Sequence, residues 1–266
     1  MIAVASLLAD LRAEHDALDA RVVGLTDAAW DTPTPAEGWT VRDQISHLCF
    51  FDEQATLALE DAPAFAASAA DVAAAATAGA DVDLGRSLVP ARLLDRWRTA
   101  RSRLLDAAAD SPADVRVPWY ALPMSLPSFI TARLMETWAH GQDVADALGL
   151  DPVESDRLAH ICHLGVAART YAFQAHSLSD PGTALRVEAR LPSGKTWQSG
   201  PPDAPNRVIG SALDLALVVT RRRHRADTGL SAAGEFSEAW LSVAQAYAGP
   251  PGSGRAPDRS NPEEAP

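Results

Sequence analysis

Two potential metal ligands, Glu136 and His140, lie four residues apart within the segment Leu134–Asp143. On an α-helix this spacing brings both side chains to one face. A third donor, His47, lies in the earlier segment Trp39–Leu48. If both segments are helices, the three side chains can close on a single metal ion, with His47 opposite the other two. A fold that satisfies this pattern has to bring two helices that are distant in sequence side by side.

The first part of the chain shows the periodicity of amphipathic helices. Leucines recur at helical spacing from Leu7 onward. Thr40 with Asp43 forms a potential N-cap, and Pro127 stands where the first turn of a helix tolerates proline. We predict helices over residues 3–25, 41–61 and 89–110, and from Ser125 or Leu126 to Gly149. The alanine-rich residues 62–82 have little to bury and are predicted to form a loop or a marginal helix.

The pattern changes after a fifth predicted helix at residues 153–177. Alternating residues then predict two strands around the turn Pro192–Gly194, followed by two more helices. These strands cover residues 185–191 and 196–199, and these helices cover residues 211–220 and 236–247. We therefore predict the α+β class. A helical bundle at residues 1–178 precedes a small α+β module at 179–248, and residues 249–266, rich in Pro, Gly and charge, form a disordered tail.

The acidic composition argues against nucleic acid as a partner. The chain has 35 acidic and 23 basic residues and a formal net charge of -12, so we expect no nucleic-acid groove, which needs concentrated Lys and Arg. The one basic patch, Arg221–Arg225, is interpreted as a solvated helix end or surface loop. Cys49 and Cys162 are too few for a disulfide framework and fit a reducing cytoplasm. We recognise no secretion signal and no membrane-spanning apolar run, so we expect a cytoplasmic protein.

The chemistry of the three donors indicates the type of metal. His47, Glu136 and His140 fall on faces predicted to border the core, where an unpaired carboxylate would be costly. A lone inward histidine is more often structural, but three such side chains on two inward faces favour a metal. Imidazole and carboxylate suit Zn²⁺, with Ni²⁺, Fe²⁺ and Mn²⁺ as alternatives. Three protein ligands leave one coordination position open, which is typical of catalytic zinc.

Two further polar residues are candidates for catalytic roles. Asp143, one turn beyond His140, is predicted either to orient His140 by accepting its ring N–H or to be a helix-terminal charge. His15 lies between Leu11 and Leu18 on the inward stripe of the first helix. It is therefore either a substrate-facing acid or base, or a histidine of the core.

Two segments carry a resemblance to a known family. They are Pro35–Leu48, with the sequence PAEGWTVRDQISHL, and Ala132–Asp146, with the sequence ARLMETWAHGQDVAD. They resemble the metal-binding domain of mycothiol-dependent maleylpyruvate isomerase, within the DinB/YfiT-like superfamily of actinobacterial thiol-dependent enzymes. The resemblance covers residues 3–178. It implies a DinB-like four-helix bundle that holds Zn²⁺ through one histidine of the second helix and a Glu-x-x-x-His pair of the fourth, which match the three donors above.

The resemblance also implies a cofactor and a reaction class. In relatives of this kind the metal binds the thiol of mycothiol or bacillithiol. A zinc-bound thiol ionises near neutral pH and becomes a nucleophile, and its addition to an activated carbon of a small-molecule substrate ends in transfer or in cis/trans isomerisation. We predict that Trp119, Tyr120 and Met124 either wall the substrate pocket or serve only in packing. The C-terminal module is similar to small sterol-carrier-like domains, and a homodimer is one candidate oligomeric state.

Three other functions stay open at this point. The metal alone can act as a Lewis acid in specialised metabolism, including cyclisation without a thiol. A non-catalytic metal-binding or small-ligand-binding protein is the second alternative, and a fourth ligand such as His15 would favour it. The third is a regulatory protein, for instance an anti-sigma partner, which would use the alanine-rich segment and Arg221–Arg225.

Overall fold

The computed structural model describes residues 3–120, 122–252 and 254–258. Their contacts divide the chain into two compact units, with the boundary between Val153 and Glu154. The N-terminal unit is mainly helical and the C-terminal unit contains a four-stranded sheet, which confirms the predicted α+β class. Within the described residues, no helix combines the length and apolar character that crossing a membrane requires.

Seven helices form the described part of the N-terminal unit. They are α1 (Val4–Val22), α2 (Asp27–Trp30), α3 (Val41–Glu60), α4 (Ala62–Thr77), α5 (Ala80–Arg86), α6 (Pro90–Asp110) and α7 (Leu126–Leu148). Of the four longest, α1 packs on α6 and α7, and α3 packs on the same two helices. These four match the helices predicted for this part of the chain to within a few residues at each end.

Local signals set the ends of α3 and α7, the two helices that carry the predicted metal ligands. Thr40 and Asp43 form a capping box before α3, in which the Thr40 N–H donates to Asp43 Oδ2 at 2.8 Å. Ser125 caps α7 by accepting the N–H of Ser128 at 3.4 Å. Gly149 ends α7 at φ 65°, a left-handed conformation that glycine adopts without strain. The boundaries of both helices are therefore encoded locally.

Residues 62–77 and 80–82 of the alanine-rich segment are helical, so the loop alternative was wrong for them. Helix α4 covers most of this segment, and α5 begins before its end. Alanine has the highest helix propensity, so a helix needs little burial to form there. Asp61 caps α4 by accepting the N–H of Ala64 at 3.0 Å, and Phe65 is buried. One cap and one buried side chain thus anchor the segment, and α4 also packs on α3 and α5.

A close contact with α3 fixes the position of α5. A Cβ atom added to Gly85 would lie 2.6 Å from Cβ of Ser46, so only glycine fits there. The hydroxyl of Ser46 accepts the N–H of Gly85 at 2.7 Å and donates to the carbonyl oxygen of Asp81. This contact holds Asp81 next to α3.

A short antiparallel pair, β1 (Arg116–Val117) and β2 (Met124–Ser125), connects α6 to α7. The sequence analysis did not predict it, because two residues are too few to show alternation. Trp119 and Tyr120 lie in the turn between these strands, and Ala121 lies outside the described residues.

The C-terminal unit is built around a mixed sheet. Its elements are α8 (Leu158–Ala167), α9 (Arg169–Ala175), β3 (Leu185–Arg190), β4 (Thr196–Ser199), β5 (Asn206–Ser211), α10 (Ala212–Val219), a 3₁₀ turn (Arg225–Asp227), β6 (Ser231–Ala233) and α11 (Glu235–Val243). The strand order is β4-β3-β5-β6, with β3 and β5 parallel and the outer pairs antiparallel. The sequence analysis identified β3 and β4 but not β5 and β6, whose short runs show little alternation.

The helix predicted at residues 153–177 is two helices, α8 and α9, separated at Ala168. Helix α8 packs against α10, so it belongs to the C-terminal unit. The observed boundary after Val153 therefore lies earlier than the predicted boundary after residue 178. Periodicity recognised the helical character of the segment but could not show which partner it packs against.

The predicted tail is partly described. Residues 249–252 and 254–258 form neither helix nor strand, yet they make contacts. The N–H of Gly249 donates to Tyr171 Oη at 2.8 Å, and the N–H of Asp258 donates to Asp227 Oδ2 at 3.0 Å. Residues 253 and 259–266 lie outside the described residues, so disorder stays a prediction for them.

A buried ion pair joins α3 to α7 in the core of the N-terminal unit. Asp52 has no exposed surface and Arg133 is 4% exposed. Nη2 and Nε of Arg133 donate to Asp52 Oδ1 at 2.8 and 3.2 Å, and Trp97 Nε1 donates to Oδ2 at 3.3 Å. Burial raises the pKa of Asp52, while the charge and hydrogen bonds of Arg133 oppose that rise. The carboxylate therefore depends on its partner.

We expect Arg133→Met to lower the free energy of unfolding by about 3–5 kcal/mol near neutral pH, because Asp52 stays buried but loses its partner. Without Arg133 the pKa of Asp52 rises further, so the folded state holds a proton that the unfolded state releases. The free energy of unfolding of the variant then falls as pH rises. Its deficit relative to wild type should therefore be smaller at about pH 5 than at about pH 8. Urea unfolding at both pH values measures this dependence.

The double variant Asp52→Leu with Arg133→Met should regain most of the lost stability, because it removes both buried charges. Arg103→Met is the surface control, since Arg103 pairs with Glu60 in solvent and its loss should cost about 0–1 kcal/mol. A double variant as unstable as Arg133→Met alone would show that the pair is not the cause.

Candidate metal centre

His47, Glu136 and His140 converge on one point. Each offers a ligand atom, and the three atoms lie within 4.8 Å of one another. His140 Nε2 is 3.4 Å from Glu136 Oε2, and the ring centroids of His47 and His140 are 4.4 Å apart. Glu136 and His140 come from adjacent turns of α7, and His47 comes from α3. The structure thus brings together the three residues that the sequence analysis selected.

Each histidine is held by a hydrogen bond on the side of its ring away from the other donors. His47 Nδ1 lies 2.7 Å from Asp81 Oδ2, and His140 Nδ1 lies 2.5 Å from Gln44 Oε1. A carboxylate or amide oxygen only accepts, so both Nδ1 atoms carry the proton. Nε2 is then the ring nitrogen of each histidine whose lone pair a metal would use. Partners of this kind fix ring orientation and raise ligand basicity.

The sequence analysis missed both of these supporting residues. Gln44 lies one turn before His47 on α3, a signal that could have been used. It is itself held by Thr34, whose Oγ1 accepts from Gln44 Nε2 at 2.9 Å. Asp81 had no such signal, because it lies in the alanine-rich segment and reaches His47 only after α5 has packed on α3.

The electrostatics favour an ionised carboxylate. Burial by itself would raise the pKa of Glu136. The hydrogen bond and charge of His140, with the charges of Arg133 and His47, outweigh that effect and lower the pKa to about 2. Glu136 is therefore negative at physiological pH, and the site combines one carboxylate with two imidazoles. This donor set suits Zn²⁺ and other borderline divalent cations.

The described residues add no fourth histidine, cysteine or carboxylate to this group. His15, the residue proposed to close the site in the non-catalytic alternative, lies elsewhere. It is 1% exposed, 4.0 Å from Asp52 Oδ2, and packs edge-on against Trp97 at 6.1 Å. Burial, followed by the charges of nearby arginines, lowers its pKa well below the usual value. A buried neutral histidine matches the core alternative, and an acid or base role for His15 stays a prediction.

Asp143 is also buried, at 1% exposure. The hydrogen-bond partner of His140 Nδ1 is Gln44, which therefore has the orienting position that we predicted for Asp143. The role of Asp143 toward His140 stays a prediction.

Aromatic rings border the three donors. The Trp39 ring stacks on His140 at 6.0 Å and lies 5.3 Å from His47, and the Phe51 ring lies 4.7 Å from His47. Phe51 belongs to a larger group, here called the aromatic cluster, whose rings lie 4.8–6.5 Å apart. Its members are Phe51, Phe65, Trp119, Tyr120 and Phe129. The cluster forms an apolar boundary beside His47.

The predicted pocket residues divide into two groups. Trp119 and Tyr120 belong to the aromatic cluster, and Trp119 stacks parallel to Phe65 at 5.6 Å. Met124 is half-buried on β2. The Tyr120 hydroxyl is buried without a hydrogen-bond partner, and burial raises its pKa to about 12. It is therefore a neutral O–H group next to the aromatic rings. The role of all three in a substrate pocket stays a prediction.

Comparisons with known proteins bear on this site. The family model of the mycothiol maleylpyruvate isomerase N-terminal domain matches residues 11–145. Uncharacterized proteins from two strains of Mycobacterium tuberculosis are 48% identical over 251 residues, covering 93% of this chain and 97% of each relative. Crystal structures of the mycothiol-dependent maleylpyruvate isomerase and of a histidine-to-alanine mutant align with TM-scores of 0.58 and 0.57 at 16% identity. They cover 87% of this chain and 93% of theirs, and at this identity the likeness concerns the fold.

We expect Asp81→Ala to weaken metal binding by about 10–100-fold, because His47 loses the group that orients its ring. The matched control is Asp83→Ala, on the same helix, where the side chain is 71% exposed and should not affect affinity. Competition with a chromophoric chelator measures both constants. Equal affinities in the two variants would contradict a supporting role for Asp81.

Proposed function

Since the chain belongs to the mycothiol maleylpyruvate isomerase N-terminal domain family, we propose that it is a metal-dependent enzyme that activates mycothiol. The thiol would be used on an electrophilic small molecule, either for transfer or for isomerisation. The observation that carries this proposal is the convergence of His47, Glu136 and His140, with no fourth histidine, cysteine or carboxylate in the group among the described residues. A three-ligand site can accept an exogenous thiol in the remaining position.

The residues present fit a Zn²⁺ ion. Two imidazoles and one ionised carboxylate match the ligand types of catalytic zinc sites, and Asp81 and Gln44 hold both imidazoles in the tautomer that a metal requires. When bound, the metal would lower the pKa of the mycothiol thiol so that it ionises near neutral pH. The protein would contribute three donors that are already in position to bind the metal.

The aromatic cluster supports a small, partly apolar substrate. Its rings beside His47 would exclude water from one side of the site, which strengthens electrostatic interactions there. We propose that Trp119, Tyr120 and Met124 contact the substrate, as in the prediction from sequence. The neutral Tyr120 hydroxyl is suited to donate a hydrogen bond to an oxygen on which negative charge develops.

We expect the purified protein to contain about one zinc per chain, and His47→Ala and Glu136→Ala to lose it, because each variant removes one of only three ligands. Plasma mass spectrometry measures the metal, and titration calorimetry measures mycothiol binding. Mycothiol should bind only to the metal-loaded protein. His163→Ala is the matched control, since His163 is an exposed histidine outside the site, and it should keep both metal and thiol.

The possible outcomes separate the alternatives. Metal without mycothiol binding would indicate a Lewis-acid reaction that uses no thiol, or a structural metal. Absence of metal in every preparation, including one refolded with zinc, would overturn the proposal.

We expect Tyr120→Phe to leave the free energy of unfolding within about 1 kcal/mol of wild type, because the hydroxyl makes no hydrogen bond in the protein. The rate of thiol addition should fall roughly 100-fold if this hydroxyl donates to the developing charge. Urea unfolding and a mycothiol-dependent rate measurement on an electrophilic substrate test the two parts. Phe129→Leu, a change in the same cluster that removes no polar group, is the control for altered packing.

A further inference from the structure

A cavity of about 150 Å³ in the C-terminal unit is surrounded by basic side chains. Four arginines and one histidine line it: Arg221, Arg223, His224, Arg225 and Arg255. No acidic residue is found among the described residues that line it. The chain as a whole has a formal net charge of -12, so this concentration of positive charge is not a consequence of composition. Four of the five residues of the Arg221–Arg225 patch line this cavity, and Arg222 does not. The patch was interpreted from sequence as a solvated helix end or surface loop.

Two of these arginines have no carboxylate partner in the described part of the chain. Nη1 of Arg221 lies 3.2 Å from Nε2 of His176, which is an uncharged acceptor because burial and the charge of Arg221 lower its pKa. The Nε atoms of Arg221 and Arg225 are buried and have no hydrogen-bond acceptor. Both residues are half-buried, and a guanidinium group that is partly withdrawn from water without a counter-charge or acceptor carries a cost. An anion in the cavity would supply both the charge and the acceptors.

The backbone places Arg221 on the cavity. Helix α10 ends at Val219, and Arg221 adopts φ 61°, a left-handed conformation that usually belongs to glycine. Opposite it, a Cβ atom on Gly254 would lie 2.7 Å from Nη2 of Arg221. A glycine thus makes room for the guanidinium, and an arginine occupies a position where glycine would be less strained. Gly254 and the left-handed backbone of Arg221 both favour a guanidinium group at this point of the cavity.

Two neighbouring groups are compatible with an anion. His224 Nδ1 accepts the N–H of Ala226 at 3.1 Å, so Nε2 of the neutral ring carries a proton that it can donate. The negative end of α10 is shielded, because the carbonyls of Leu217 and Val218 accept the N–H groups of Arg222 and Arg221 at 2.8 and 2.9 Å. The basic side chains therefore supply donors to a lining that also includes the apolar Val218, Leu241 and Ala244.

We propose that this cavity binds a compact tetrahedral oxyanion, either free phosphate or the phosphoryl group of a small metabolite. Guanidinium groups present paired N–H donors that match the oxygens of phosphate. Pockets that enclose drug-sized ligands measure about 300–1,000 Å³, so this solvent-open cavity of about 150 Å³ has room for one small group. The site uses no residue of the metal centre, and it would give the C-terminal unit a ligand of its own.

Titration calorimetry of the full chain with inorganic phosphate tests the proposal, with sodium chloride at equal ionic strength as the reference. Arg221→Gln and Arg225→Gln should each weaken binding about tenfold or more, as expected for the loss of one charge-assisted hydrogen bond. Arg190→Gln, which removes an exposed charge on the same unit outside the cavity, should bind like wild type. His47→Ala should also bind like wild type, which excludes phosphate held by a metal at the other site.

The same titration with glycerol 3-phosphate distinguishes the two sources of the anion. Tighter binding of the ester would identify a phosphorylated metabolite, and tighter binding of phosphate would identify the free ion. Circular dichroism verifies that each variant is folded, and if Arg221→Gln is not, Arg225→Gln in the 3₁₀ turn carries the test. No binding by wild type at millimolar phosphate, or equal affinity in wild type and Arg225→Gln, would overturn the proposal.

Discussion

The buried ion pair between Asp52 and Arg133 is the constraint on which the candidate metal centre depends. Asp52 follows His47 on α3, and Arg133 precedes Glu136 by one turn on α7. Two rigid helices joined at this point cannot slide or rotate independently, because a shift would leave a buried charge unpaired. The pair therefore sets the register that brings ligands from distant parts of the chain together. Such pairs add little net stability but can specify one arrangement among several.

Helices α4 and α5 complete the candidate metal centre, although their alanine-rich sequence shows little hydrophobic pattern. Helices α4 and α5 form from alanine-rich sequence that buries few large side chains, and α5 is secured by the contact of Gly85 with Ser46. That contact holds Asp81 against His47. The orientation of a metal ligand thus depends on a helix whose own stability comes from packing on α3. Loss of α5 would loosen the site without removing any of its three donors.

The two units concentrate opposite kinds of polar chemistry. The N-terminal unit buries the carboxylates of Asp43, Asp52 and Asp81. Arginines hold Asp43 and Asp52, an indole N–H also donates to Asp52, and a histidine holds Asp81. The C-terminal unit gathers guanidinium groups around a cavity with no acidic lining among its described residues. The net charge of the whole chain does not show this difference between the units. A single acidic chain can in this way present a cation site and an anion site.

The sequence by itself determined the four long helices, the α+β class and the three metal-competent donors. These features depend on local periodicity, capping residues such as Thr40, and the (i, i+4) spacing of Glu136 and His140, all of which are readable within one segment. Only the tertiary structure decided the partners of those donors, the helical state of residues 62–82, the pairing of β5 with β3, and the unit to which α8 belongs. Each of these depends on contacts between residues far apart in the chain, and local patterns carry no information about which surfaces will meet.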